Sequence, residues 1–196
     1  AHAMNDALGN AGVTVTYLPP AGFSPAVGGT IGDLARAMEG GEVRVLLILG
    51  GNPVYTAPAD LKFAALMDRV ALRIHLGLYE NETSQLCHWH VPEAHFLESW
   101  SDARAFDGAL SILQPTIAPL YGGRTAAEVI SAFSEEAGRT AHELVRDHWR
   151  SRHPGEDFET FWSLALHEGV AAGTAFDPVQ VRPTKDWADA LKPHVP

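Results

Sequence analysis

The sequence predicts an α/β fold: a three-layer arrangement of a parallel sheet flanked by helices, with an irregular β-rich edge and a helical C-terminal part. Three observations predict it. Val43-Arg44-Val45-Leu46-Leu47-Ile48-Leu49 is a near-continuous run of branched apolar residues, the pattern of a strand buried on both faces of a parallel sheet. The run stops at Gly50-Gly51-Asn52-Pro53, where two glycines let the chain turn sharply. Pro58 and Asp60 then favour a helix carried by Leu61, Ala64, Ala65 and Met67. A second apolar strand at residues 71–76 ends on Gly77, before the polar segment Tyr79-Glu80-Asn81-Glu82-Thr83. Strand, helix, strand in this order implies parallel strands and right-handed crossovers.

The remaining elements follow in order. Residues 2–8 read as a short helix closed by Gly9-Asn10, and residues 13–17 alternate as a strand. Residues 19–29, rich in Pro and Gly, read as a loop. Thr30 caps a helix whose Ile31, Leu34, Ala35 and Met38 fall at helical spacing, and Gly40-Gly41 ends it. After Glu82, short extended pieces near residues 89–91, 95–97 and 110–113 are separated by Pro92, Asp102 and Gly108, as expected of strands and turns wrapping one sheet edge. Residues 115–121 are extended and apolar, kept from a central strand by their prolines.

Thr125 with Glu128 and Thr140 with Glu143 form capping-box patterns that open two helices joined at Gly138. A third helix, seeded by Asp157, carries Phe158, Phe161, Trp162, Ala165 and Leu166 on one stripe and ends at Gly169. Such a stripe reads as core or subunit interface. The expected organisation is an α/β domain over 1–138, a helical extension packed on it over 139–176, and a loose tail over 177–196. Trp187 and Leu191 are the tail's only large anchors.

Composition narrows the function classes. A formal net charge of -10 opposes direct binding to nucleic acid or to an anionic membrane surface. The single cysteine, Cys87, cannot form an internal disulfide, and an iron-sulfur cluster takes several cysteine ligands. No run approaches the roughly 20 apolar residues of a membrane-spanning helix. The first residues read as mid-domain helix, so the chain is expected to be a piece of a longer polypeptide.

Ligands of open α/β sheets sit beyond the carboxyl ends of the strands. Gly50, Gly51 and Asn52 after the first strand, and Glu82 and Thr83 after the second, are therefore the candidate binding positions. The double glycine lacks the third glycine of a dinucleotide fingerprint, so a plain tight turn is an equal reading. Cys87, His88, His90 and His95 lie within nine residues and are ligand types for zinc or copper. In an extended segment, however, Cys87 points away from His88 and His90, and structural histidines bonded to loops are the favoured reading. Glu98, Asp102, Arg104 and Asp107 could form an acid-base cluster. Without a nucleophile or metal set beside them, a turn in which Arg104 ties carboxylates and carbonyls together is preferred. No catalytic residue and no metal ligand is assigned.

Gly51-Asn52-Pro53, the second strand, Glu82-Thr83, Val91-Pro92, Leu97-Glu98, Asp107-Gly108 and Gln114-Pro115, in this order and spacing, resemble the molybdopterin oxidoreductase family. The stretch from Trp89 through Trp100 to Arg104 is similar to one branch of it, the large iron-sulfur subunit of the bacterial alternative complex III. The resemblance extends from about residue 1 to residue 176, and it implies a Rossmann-like sheet. Cofactor-binding members carry an aspartate where this chain has Gly77, another where it has His88, and an asparagine and an arginine where it has Ala105 and Ala109. Alanines offer no donors to a pyrophosphate cofactor.

The resemblance therefore implies a cofactor-free scaffold within a quinol-oxidising respiratory complex on the periplasmic side of the bacterial inner membrane. Iron-sulfur clusters would lie elsewhere in the parent, and the partners would be other domains of that chain and other subunits. Gly50, Gly51, Asn52, Glu82 and Thr83 would then be vestigial contacts to the nucleotide end. The alternative is a piece of an active molybdenum enzyme in which those residues hold molybdopterin guanine dinucleotide. A third reading is a stand-alone small-ligand binding module.

Overall fold

The computed structural model describes residues 1–21, 28–155 and 157–184. Residues 22–27 of the expected loop, and the tail anchors Trp187 and Leu191, lie outside the described residues. The chain is a mixed α/β structure: β1 (Val45–Leu49), β2 (Leu72–Gly77) and β3 (Trp89–Pro92) form a parallel sheet in the order β1-β2-β3. A separate antiparallel pair joins β4 (Ser101–Arg104) to β5 (Leu110–Leu113). The expected strand at residues 95–97 is not formed. There His95 and Glu98 close a turn, with Glu98 N–H donating to the His95 carbonyl at 2.8 Å.

The N-terminal helix α1 (His2–Ala7) forms as expected, but the strand expected over residues 13–17 does not. Val13, Thr14 and Val15 all donate their amides to the Asn10 carbonyl, coiling the segment back on α1 instead of extending it toward a partner. Val13 is consequently exposed. A strand is stable only when its ladder groups find a partner, which alternation by itself cannot supply.

Helix α2 (Ile31–Glu39) starts on a complete capping box: Asp33 N–H donates to Thr30 Oγ1, and Asp33 Oδ2 accepts from Thr30 N–H. Those bonds hold the Asp33 carboxyl below its ordinary range, the Thr30 backbone N–H contributing most. The helix expected across Leu61 and Met67 is broken. It becomes a 3-10 turn at Ala59–Leu61 and α4 (Phe63–Met67), with Lys62 between them in the left-handed region at φ 47, and a short helix not expected from the sequence, α3 (Pro53–Thr56), precedes it. A side chain at positive φ interrupts helical hydrogen bonding. The break turns Phe63 and Met67 onto the sheet.

Register places Leu46 beside Arg73, and Ile48, His75 and His90 side by side across the sheet. On that face Leu46 packs with Met38 of α2, Phe63 and Met67 of α4, and Val70, all buried. The opposite face carries Ile74, Trp89 and Val91 toward α6 (Ala126–Ser131), leaving a groove of about 490 Å³ between them. β1 was expected to be buried on both faces, yet Val45 is 52% and Leu49 41% exposed. β1 is an edge strand whose second face no described element covers.

A second core lies in the C-terminal half. Ile112 of β5, Trp149 of α7 (Ala141–Arg152), Phe158, Trp162 and Ala165 of α8 (Phe158–Glu168), and Ala171 pack together. The aromatic stripe is thus core, as its spacing predicts. α6 and α7 carry the capping boxes expected of Thr125/Glu128 and Thr140/Glu143, and Gly169 ends α8 at φ 72. Asp157 precedes α8 but its side chain makes no cap bond. Thr140→Ala should lower stability by about 1 kcal/mol, with Thr140→Ser nearly neutral, in urea denaturation. Equal losses in both would remove the cap as the cause.

Candidate functional site

The loops after β1 and β2 meet, and they meet mainly by bonding to each other. Gly50 and Gly51 adopt φ 70 and φ 72 in succession, conformations that a side chain would strain, and Asn52 then precedes Pro53 at the start of α3. Asn52 Oδ1 accepts from Thr83 Oγ1 at 2.7 Å, and Asn52 Nδ2 donates to Glu82 Oε2 at 2.6 Å. Thr83, with no exposed surface, also accepts from the Val54 amide at 3.0 Å. Asn81 caps α5 (Glu82–Gln85) through Ser84, and its Nδ2 reaches the Gly51 carbonyl at 3.4 Å. The five sequence-predicted positions, Gly50, Gly51, Asn52, Glu82 and Thr83, are therefore brought together.

At the centre is a residue that the sequence reading did not single out. The His75 ring is fully buried and lies between the Gly51 carbonyl, 3.1 Å from Nε2, and His90 Nδ1, 3.0 Å from its own Nδ1. A carbonyl only accepts, so His75 Nε2 carries the proton and His75 Nδ1 accepts from His90 Nδ1–H. The same ring occupies the space beside Gly77. A Cβ at that position would lie 2.5 Å from His75 Cε1. The signal in the sequence was a histidine set between the apolar Ile74 and Leu76, two residues after Arg73 in the same strand.

Hydrogen bonding decides the electrostatics of the loops. The Asn52 amide, the largest influence on Glu82, holds its carboxyl below the ordinary glutamate range. A group whose folded pKa is depressed contributes stability above its unfolded pKa and loses it as pH falls through the folded one. Urea denaturation between pH 7 and roughly pH 3 should therefore show an acid loss that is smaller in Glu82→Gln. Identical losses in the two proteins would take Glu82 out of the account. The backbone N–H groups of Gly51 and Asn52 make no hydrogen bond among the described residues.

The histidines near Cys87 are dispersed into local bonds. His88 Nδ1 accepts from the Arg73 amide at 3.1 Å. That uses the single acceptor of a neutral imidazole, so the 3.3 Å approach of Arg73 Nη2 to Nε2 is a contact between donors. His95 Nδ1 accepts from Leu97 N–H at 3.3 Å. Burial pushes the Cys87 thiol up, partly opposed by the Arg73 charge, which disfavours the thiolate that a metal needs. No group of three or more His, Cys, Asp and Glu is placed to hold a metal ion among the described residues.

The four charged residues weighed as an acid-base cluster are separated as well. Asp102 Oδ2 accepts from Trp149 Nε1 at 3.0 Å, Asp107 Oδ1 from the Ala109 amide, and Glu98 Oε2 from the His95 amide. Arg104 donates Nη1 to the Gly108 carbonyl at 2.9 Å and lies over the Phe176 ring. It ties a carbonyl, as expected of a structural turn, but none of the expected carboxylates. Ala105 and Ala109 pair across the tip of the β4–β5 hairpin, Ala105 N–H donating to the Ala109 carbonyl at 2.7 Å.

Five of the cavities that open among the described residues, of about 330 to 630 Å³, are lined by none of Gly50, Gly51, Asn52, Glu82 and Thr83. Against known proteins, the chain matches no family model and no curated protein.

Proposed function

We propose that the chain is a non-catalytic scaffold of a quinol-oxidising respiratory electron-transfer complex, descended from a three-layer, Rossmann-like fold that bound molybdopterin guanine dinucleotide. The observation that carries this reading is the His75 ring. It fills the space beside Gly77, where cofactor-binding relatives of the resembled family place an aspartate, and it bonds to the Gly51 carbonyl of the opposite loop. Asn52 and Thr83 direct their side chains at each other, Asn81 reaches the Gly51 carbonyl, and Glu82 adds a negative charge where a pyrophosphate would need donors. The residues present do not fit the dinucleotide end of that cofactor.

On this reading the iron-sulfur clusters belong to other parts of the parent polypeptide. The α/β part over 1–138 and the helical extension over 139–176 serve as packing surfaces for other domains and subunits on the periplasmic side of the bacterial inner membrane. No described helix is long and apolar enough to cross a membrane. The test is joint analysis of molybdenum, tungsten and pterin in the intact parent purified from its native membrane. Iron alone is the expected result; molybdenum and pterin near one per chain would overturn it.

A second reading, the cofactor-binding piece of an active molybdenum oxidoreductase, is favoured by the free N–H groups of Gly51 and Asn52, which face no described acceptor. It expects guanine nucleotide to bind the 196-residue chain, and the scaffold reading expects no binding.

A further inference from the structure

A cavity of about 630 Å³ lies between the β4–β5 hairpin and the helices α7 and α8, away from the two loops already described. Its volume falls in the range of small-molecule sites, roughly 300–1,000 Å³. Two guanidinium groups from different elements line it, Arg104 from β4 and Arg152 from the end of α7, against one carboxylate, Asp102. In a chain of formal charge -10, that local excess of positive charge runs against the overall field.

Two of the polar groups, Arg104 and Asp102, are held in place before any ligand arrives. Arg104 is fixed by its bond to the Gly108 carbonyl at 2.9 Å and by the Phe176 ring, 5.3 Å from its central carbon, and it retains further N–H donors. Asp102 is anchored by Trp149 Nε1 at 3.0 Å. His148 and Arg152, four residues apart on α7, share one helix face. The aromatic lining is a stack: the His153 ring lies on Phe161 with centroids 4.2 Å apart and planes 12° from parallel, and Phe161 touches Trp149. Cations from two elements beside an aromatic stack match an anionic head on an apolar aromatic body.

We propose that this cavity binds a small organic anion, a carboxylate or phosphate carried on a flat apolar group. Arg104 and Arg152 take the charged head, and the Phe161, His153 and Trp149 wall takes the body. The site is independent of the scaffold assignment, because no residue of the Gly50–Thr83 network lines it.

The test follows the Trp149 indole N–H by NMR, assigned with Trp149→Phe, while the 196-residue chain is titrated separately with phenyl phosphate, benzoate and inorganic phosphate. Saturable shifts with phenyl phosphate or benzoate at or below about 1 mM are expected, with inorganic phosphate at least about tenfold weaker. Whichever aromatic anion binds tighter identifies the head group. Arg152→Gln, at an exposed position, should weaken binding about tenfold, and Arg36→Gln, on the distant α2, should leave it unchanged. No saturable shift up to about 10 mM, or equal binding by wild type and Arg152→Gln, would overturn the proposal. Inorganic phosphate binding as tightly as phenyl phosphate would overturn the role of the aromatic wall.

Discussion

Gly77→Asp should destabilise the chain by about 3 kcal/mol, read as a shift of the urea midpoint. The added Cβ would lie 2.5 Å from His75 Cε1. His75 cannot swing aside cheaply, because it has no exposed surface and both ring nitrogens are within hydrogen-bond distance of partners. His75→Ala alone should cost a similar amount, about 2–4 kcal/mol: it opens a cavity and leaves the Gly51 carbonyl with only the 3.4 Å approach of Asn81 Nδ2. The double variant separates a clash from general fragility. Removing the ring makes room for the aspartate, so the two costs should fall short of additivity by at least about 1 kcal/mol. Strict additivity would mean that the ring and the glycine are not matched to each other, and the main support for the scaffold reading would be lost.

The other large effect is expected in the second core. Trp162 is 6% exposed and stacks on Phe158 at 5.9 Å and on Trp100 at 6.2 Å. Trp162→Ala should cost about 4 kcal/mol, because the rings around it are held on α7, α8 and the segment just before β4 and cannot collapse into the space. Trp149→Phe should cost less, about 1–2 kcal/mol, chiefly from the loss of the indole N–H that Asp102 accepts. A loss under about 1 kcal/mol for Trp162→Ala would show that the cluster is not a stabilising core.

Local signals were read well wherever the cause was local. Thr30, Thr125 and Thr140 each open a helix, because a cap depends on residues three positions apart. The aromatic stripe of α8 is buried because helical period fixes which side chains share a face. The candidate loops were legible too, since parallel strands ending in glycine place their turns at one sheet edge. Failures fall where the outcome depended on a distant partner. Residues 13–17 alternate like a strand but coil onto Asn10. One apolar run after Pro58 reads as one helix, yet Lys62 divides it so that Phe63 and Met67 can reach Leu46.

By itself the sequence determined the capped helix starts at Thr30, Thr125 and Thr140, the first two parallel strands and the pair of loops where a ligand would be sought. Only the tertiary structure decided what those loops do with their polar groups. Strand register sets His75 beside His90 and curls its ring over Gly77, fifteen and two residues away along the chain. Periodicity reports which face a side chain occupies. It carries no information on which distant donor or acceptor will satisfy a buried ring, and that choice joined the side chains of the two loops in hydrogen bonds to one another.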